Sequence, residues 1–192
     1  MRQIVKPENS LDAAAAQLFV LRSCVESSIP KPGLVVVTSA KRGDGKSLTA
    51  YALAEALSKG GHTVALVEPK ADDRNLTASQ VEEIARRLRA ANEYIVLDAD
   101  PLLATNITFG LAKVADALLI AVRLGRQPVF EDELLSKMIA VGGHPLLGVV
   151  SSTPKAIADF ERRRKAGNLP LEWQRDVGPV PARQRMPQSV AG

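Results

Sequence analysis

From Ser10 to Glu26 the apolar residues keep helical time. Ala13, Ala14, Leu18, Leu21 and Val25 recur one, three or four positions apart, and Ser10 can cap the start. Prolines at 30 and 32 end that segment. Leu34–Thr38 (LVVVT) then runs β-branched without alternation, the pattern of a strand covered on both faces. Ser47–Lys59 reads as a helix closed by Gly60 and Gly61. The same alternation continues with strands at Thr63–Glu68, Tyr94–Asp98, Ala117–Val122 and Leu146–Val150, and helices at Ser79–Ala91, Asn106–Lys113 and Phe130–Val141. A last helix is expected at Pro154–Lys165, with little regular structure after Gly167. Repeated strand–helix–strand units imply right-handed crossovers. The expected fold is therefore α/β, in three layers, with a mostly parallel sheet and helices on both faces. Three parts are expected: an N-terminal helix and linker over 1–33, a core over 34–153, and a basic, proline-containing helix and tail over 154–192.

Composition narrows the class. A chain of 192 residues with 46% hydrophobic and 24% charged residues can bury a real core without staples. The single cysteine, Cys24, rules out a disulfide framework and reads as a small core residue. Only His62 and His144 are available to a zinc site, which argues against one. The best apolar run, Ala117–Val122, is far short of the roughly 18 residues that span a bilayer, and MRQIVKPENS lacks a secretory core. The expectation is a cytoplasmic protein. Its formal charge of +4 resides in the tail: residues 1–153 carry 17 basic and 17 acidic side chains, residues 154–192 eight and four. That reads as a solvated tail, with Arg86, Arg87 and Arg89 an exposed helix face and Arg162–Lys165 a solvated helix end.

The chemistry concentrates after the first strand, in VVVTSAKRGDGKS (residues 35–47): strand, glycine-rich loop, Gly-Lys-Ser, then helix. Gly43 and Gly45 allow close backbone approach to phosphates. The loop amides and the N-terminus of the following helix offer partial positive charge. Lys46 would neutralise β- and γ-phosphate oxygens, and the Ser47 hydroxyl would ligate Mg²⁺. Ala40 stands where the first glycine of such a P-loop usually sits. Asp98, closing the strand YIVLD ahead of Asp100 and Pro101, is the carboxylate placed to hold the Mg²⁺ water shell. These features make the fold P-loop NTPase-type.

From about residue 10 to 152 the chain resembles the bacterial tyrosine kinases of exopolysaccharide and capsule synthesis, relatives of the MinD/ParA ATPases. The resemblance rests on TSAKRGDGKSLTAYALAEAL, on YIVLDADPLL at the Walker B position, and on VADALLIAVRLG and LLGVVSS. It implies ATP and Mg²⁺ as cofactors and a membrane polysaccharide co-polymerase as partner, which would recruit the chain to the inner face of the plasma membrane. Self-association stays open, and nucleic acid is not the expected partner. The departures are specific. In VALVEPKADDRN, Glu68 and Lys70 stand at the family's two Walker A′ aspartates, with Asp72 and Asp73 close by. Of the Glu-x-x-Arg-x-x-Arg of oligomerisation, Ala16, Phe19 and Arg22 keep only the last. The only tyrosines, Tyr51 and Tyr94, lie inside predicted elements, so a phosphorylated tyrosine tail is impossible. Ser152 stands where relatives carry an asparagine that reads adenine.

The candidate site is thus Lys41, Gly43, Asp44, Gly45, Lys46, Ser47 and Leu48 for nucleotide, Ser47 and Asp98 for metal, and Lys46, Glu68 and Asp98 for catalysis. The leading expectation is an ATP-binding protein of exopolysaccharide or capsule biosynthesis or export, a kinase-like regulator whose turnover, if any, is slow. Two alternatives stay open. One is a ParA/MinD-like positioning ATPase, in which Lys41 acts across a dimer interface. The other is an interaction module that no longer binds nucleotide.

Overall fold

The computed structural model describes residues 10–68, 78–101, 106–125 and 146–169. Helix α1 spans Ser10–Ser28, β1 Gly33–Thr38, α2 Lys46–Lys59, β2 Val64–Val67 and α3 Ala78–Ala91. Strand β3 follows at Tyr94–Asp98, then α4 at Asn106–Val114, β4 at Ala117–Arg123, β5 at Leu146–Ser152 and α5 at Pro154–Lys165. The helix expected at Phe130–Val141 lies outside the described residues, as do Lys70, Asp72, Asp73, His144 and the tail beyond 169.

The five strands form one parallel sheet in the order β2-β3-β1-β4-β5. The chain belongs to the α/β class with a P-loop NTPase-like arrangement, as the alternation implied. The unbroken apolar strands are explained by two cores. Leu34 and Val36 of β1, Ile95 and Leu97 of β3, and Leu118 and Ile120 of β4 face one side, with Ile84, Leu88 and Leu111 from α3 and α4. Val35, Val37, Val96 and Leu119 face the other, with Val25 of α1, Leu53 and Leu57 of α2, and Phe160 of α5. A strand with both faces buried has no polar positions to alternate with.

Strand β5 runs two residues further than its apolar run suggests, because Ser151 and Ser152 pair with Val122 and Arg123. Backbone pairing does not require an apolar side chain. A register shift leaves Leu147 between Leu146, opposite Leu118, and Gly148, opposite Leu119, which marks a bulge at this sheet edge.

Two expectations fail here. Cys24 is exposed rather than buried; the inward stripe of α1 passes through Leu21 and Val25, which turns the intervening Cys24 outward. Arg86 is exposed beside Glu83, as expected, but Arg89 is not. Its Nη2 donates to Asp116 Oδ2 at 2.7 Å and to the Val114 carbonyl at 3.2 Å. That carboxylate oxygen also accepts from the Leu34 amide at 2.7 Å, so Arg89 ties α3 to the start of β1. At the same end of the sheet, Glu93 accepts from Lys31 at 2.8 Å, and His62 sits between Glu26 and Glu93 at 2.8 and 3.2 Å.

Candidate functional site

At the opposite end, the carboxyl ends of β1, β3 and β2 deliver the loop and two carboxylates to one place. Strand β1 ends in Thr38, whose hydroxyl donates to the Asp100 carbonyl at 2.8 Å, while the Ala99 amide donates to the Val37 carbonyl at 3.0 Å. The loop between β1 and α2 is thereby fixed to the segment that follows Asp98. Within the loop the Ser39 hydroxyl donates to the Lys41 carbonyl at 2.6 Å, and buried Asp44 accepts from the Lys41 amide at 3.2 Å. Asp44 is therefore a brace of the loop, and the Lys41 backbone is its partner.

Gly43 and Gly45 have φ of +84° and +92°, a conformation that disfavours side chains. At Gly45 there is also no room: a Cβ would lie 3.2 Å from Ile157 and 3.3 Å from the Ser152 Cβ. Ala40, by contrast, is buried in the core, and no non-glycine among the described residues has positive φ. The loop needs no glycine there. Helix α2 starts without a capping side chain and without an acid in its first turn. Such an N-terminus suits an anion. Lys46 and Ser47 in that turn are half-buried, and Leu48 packs against the core, so its side chain is an anchor and any ligand contact falls to its backbone.

Asp98 is the most constrained group of the set. It is buried, its Oδ2 has no hydrogen-bond partner, and the Ser47 hydroxyl hydrogen-bonds to the carboxylate. Burial pushes its pKa up to about 6, with Glu68 adding to the rise. The Ser47 hydrogen bond and the charges of Lys46 and Arg164 oppose it. A buried carboxylate with an unused oxygen beside a hydroxyl is a donor set suited to a hard cation.

The last helix completes the site in a way the sequence reading missed. Thr153 caps α5, accepting from the Ala156 amide at 3.1 Å, and Pro154 opens it. The helix starts after β5, one edge of the sheet, and Arg164 near its end reaches Glu68 beyond β2, the other edge. Twelve residues of helix span about 18 Å, close to four strand spacings of about 4.8 Å. Ile157 rests against Gly45, Phe160 packs on Tyr51 with ring centroids 5.6 Å apart, and Arg164 Nη2 donates to both Glu68 oxygens at 2.7 and 2.8 Å. Arg164 is thus a correction to the solvated helix end, although Arg162 is 76% exposed as expected. The signal available in advance was the 157, 160, 164 spacing, one face of a helix.

Comparison with curated protein sequences finds no significant match. Among solved structures, the chain is similar to the kinase domain of the Escherichia coli tyrosine kinase ETK, at TM-score 0.57 and 14% identity over 75% of each chain. It is similar to the VpsO kinase domain at TM-score 0.57 and 17% identity, covering 74% of this chain and 95% of that one. The BceF tyrosine kinase domain gives TM-score 0.59 and 13% identity over 76% and 78%. At these identities the likeness is one of fold. Among the described residues no helix is long and apolar enough to cross a membrane. Residues 35–165, more than half of the chain, match the CobQ/CobB/MinD/ParA nucleotide binding domain, and the chain belongs to that family.

Proposed function

We propose that this chain is an ATP- and Mg²⁺-binding regulator of exopolysaccharide or capsule synthesis or export, acting in the cytoplasm beside a membrane polysaccharide co-polymerase. One observation carries the nucleotide half of the reading: a loop with two left-handed glycines and an uncapped helix N-terminus beside a buried carboxylate with one oxygen unpartnered. The polysaccharide half rests on the resemblance of the loop and Walker B segments to the capsule tyrosine kinases.

In this reading the loop amides and Lys46 grip the β- and γ-phosphates, and Ser47 with Asp98 holds the metal. Mg²⁺, when bound, neutralises charge on the phosphate oxygens. Glu68 is the carboxylate nearest to a water-orienting role, and its pairing with Arg164 restrains it. Turnover is slow in this reading because Lys70 stands where the second Walker A′ aspartate is found. Tyr51 and Tyr94 are both buried, so a tyrosine phosphorylated by this chain would belong to a partner protein.

The test is a titration with a fluorescent ATP analogue, with and without Mg²⁺. Wild type should bind in a Mg²⁺-dependent way. Lys46→Ala should weaken binding at least about tenfold, the scale of one lost hydrogen bond to a charged group, with an unchanged circular dichroism spectrum. Polymer output should fall in cells carrying that variant. Equal binding by both proteins, or full output from the Lys46→Ala strain, defeats the respective half of the reading.

A further inference from the structure

Arg164 lies outside every part of the phosphate loop, yet it converges on the same place. It leaves α5 four residues after the Phe160–Tyr51 contact and seven after Ile157 meets Gly45, so the helix that carries it is seated on the loop and on α2. Its side chain is 21% exposed and forms two short bonds to Glu68, itself just past β2. Next to β2 in the sheet, β3 ends in Asp98. One further cation therefore stands at the phosphate end of the site, held in position by a carboxylate that is one-third exposed.

We infer that Arg164 is a nucleotide-sensing residue, which exchanges its Glu68 partner for the terminal phosphate of a bound nucleoside triphosphate. The inference rests on the nucleotide reading above. A guanidinium matches phosphate oxygens bidentately as well as it matches a carboxylate. A triphosphate brings more negative charge than Glu68 and competes for the fork; a diphosphate, a phosphate shorter, does not reach it. The exchange also frees Glu68 at the moment the triphosphate is in place.

The experiment compares fluorescent ATP and ADP analogues, each with Mg²⁺, on wild type, Arg164→Ala, Arg164→Lys and Glu68→Gln. Melting curves on each variant show that it is folded. Arg164→Ala should lower ATP affinity about tenfold or more while changing ADP affinity less than about threefold. Arg164→Lys should recover part of the ATP preference by keeping the charge without the fork. Glu68→Gln, which weakens the competing partner, should tighten ATP relative to ADP. Equal loss for both nucleotides, or no loss for either, overturns the assignment and leaves Arg164 a structural tie of α5. Failure of wild type to bind either analogue overturns the nucleotide reading itself, and the Arg164 inference with it.

Discussion

Ala40 and Asp98 illustrate opposite trades at single positions. Ala40 fills core volume at ordinary backbone angles, so replacing it with the usual glycine removes a buried methyl and adds chain entropy to the unfolded state. Ala40→Gly should lower stability by about 1 kcal/mol in urea denaturation and leave nucleotide affinity unchanged; a gain in affinity would show that the loop wants the glycine. Asp98 is kept against stability. Its folded pKa of about 6 lies above the ordinary 3.8, so the folded chain holds the proton more tightly than the unfolded one. Ionisation then opposes folding, and stability attributable to this group is present below about pH 4 and falls as pH rises towards about 6. Asp98→Asn should flatten that dependence and raise stability at pH 7 by the order of 2 kcal/mol, while reducing Mg²⁺-dependent binding. Loss of stability at pH 7 would mean the carboxylate is compensated.

Helix α5 links the phosphate loop, α2 and the end of β2 as one element. Its seat on the core is Phe160, buried against Tyr51. Phe160→Ala should cost about 3 kcal/mol and, by loosening the helix that carries Arg164, should weaken ATP binding as well; a purely local role would affect stability alone. The strands β1, β3 and β4 were readable because doubly covered strands are continuous apolar runs. The loop was readable because Gly43, Gly45, Lys46 and Ser47 fall within five consecutive residues. Helix α5 was readable as a helix from its composition, but its place was not. Arg162, Arg163, Arg164 and Lys165 look alike in sequence, and only the turn of the helix selects the third to face Glu68. Cys24 and Arg89 were misread for the same reason, since the direction of a side chain depends on which neighbour the helix packs against.

Across the whole molecule the sheet has two unlike ends. The loop end holds a carboxylate with a raised pKa. At the other end Glu93 is held at about 2 by its bonds to Lys31, to the Thr63 backbone and to His62. Its contribution is present above its ordinary value near 4.5 and is lost as pH falls towards 2. Acid therefore acts on the two ends in opposite directions. Relative to wild type, Glu93→Gln should lose its disadvantage as denaturation is repeated from pH 6 down to pH 2; a constant difference would show that the ion pairs contribute nothing. The contact between Glu68 and Arg164 joins residues 96 positions apart in the chain. A link of that span closes a larger loop than the pairing of Val64 with Tyr94 in the adjacent strands, at an entropic cost that grows only slowly with length. During synthesis Glu68 is made early and waits, unpaired, until residue 164 has left the ribosome. The hydrogen bonds that shape the phosphate loop, including its tie from Thr38 to Asp100, use no residue beyond 100, so the partner of Glu68 is the last of these contacts to be synthesised.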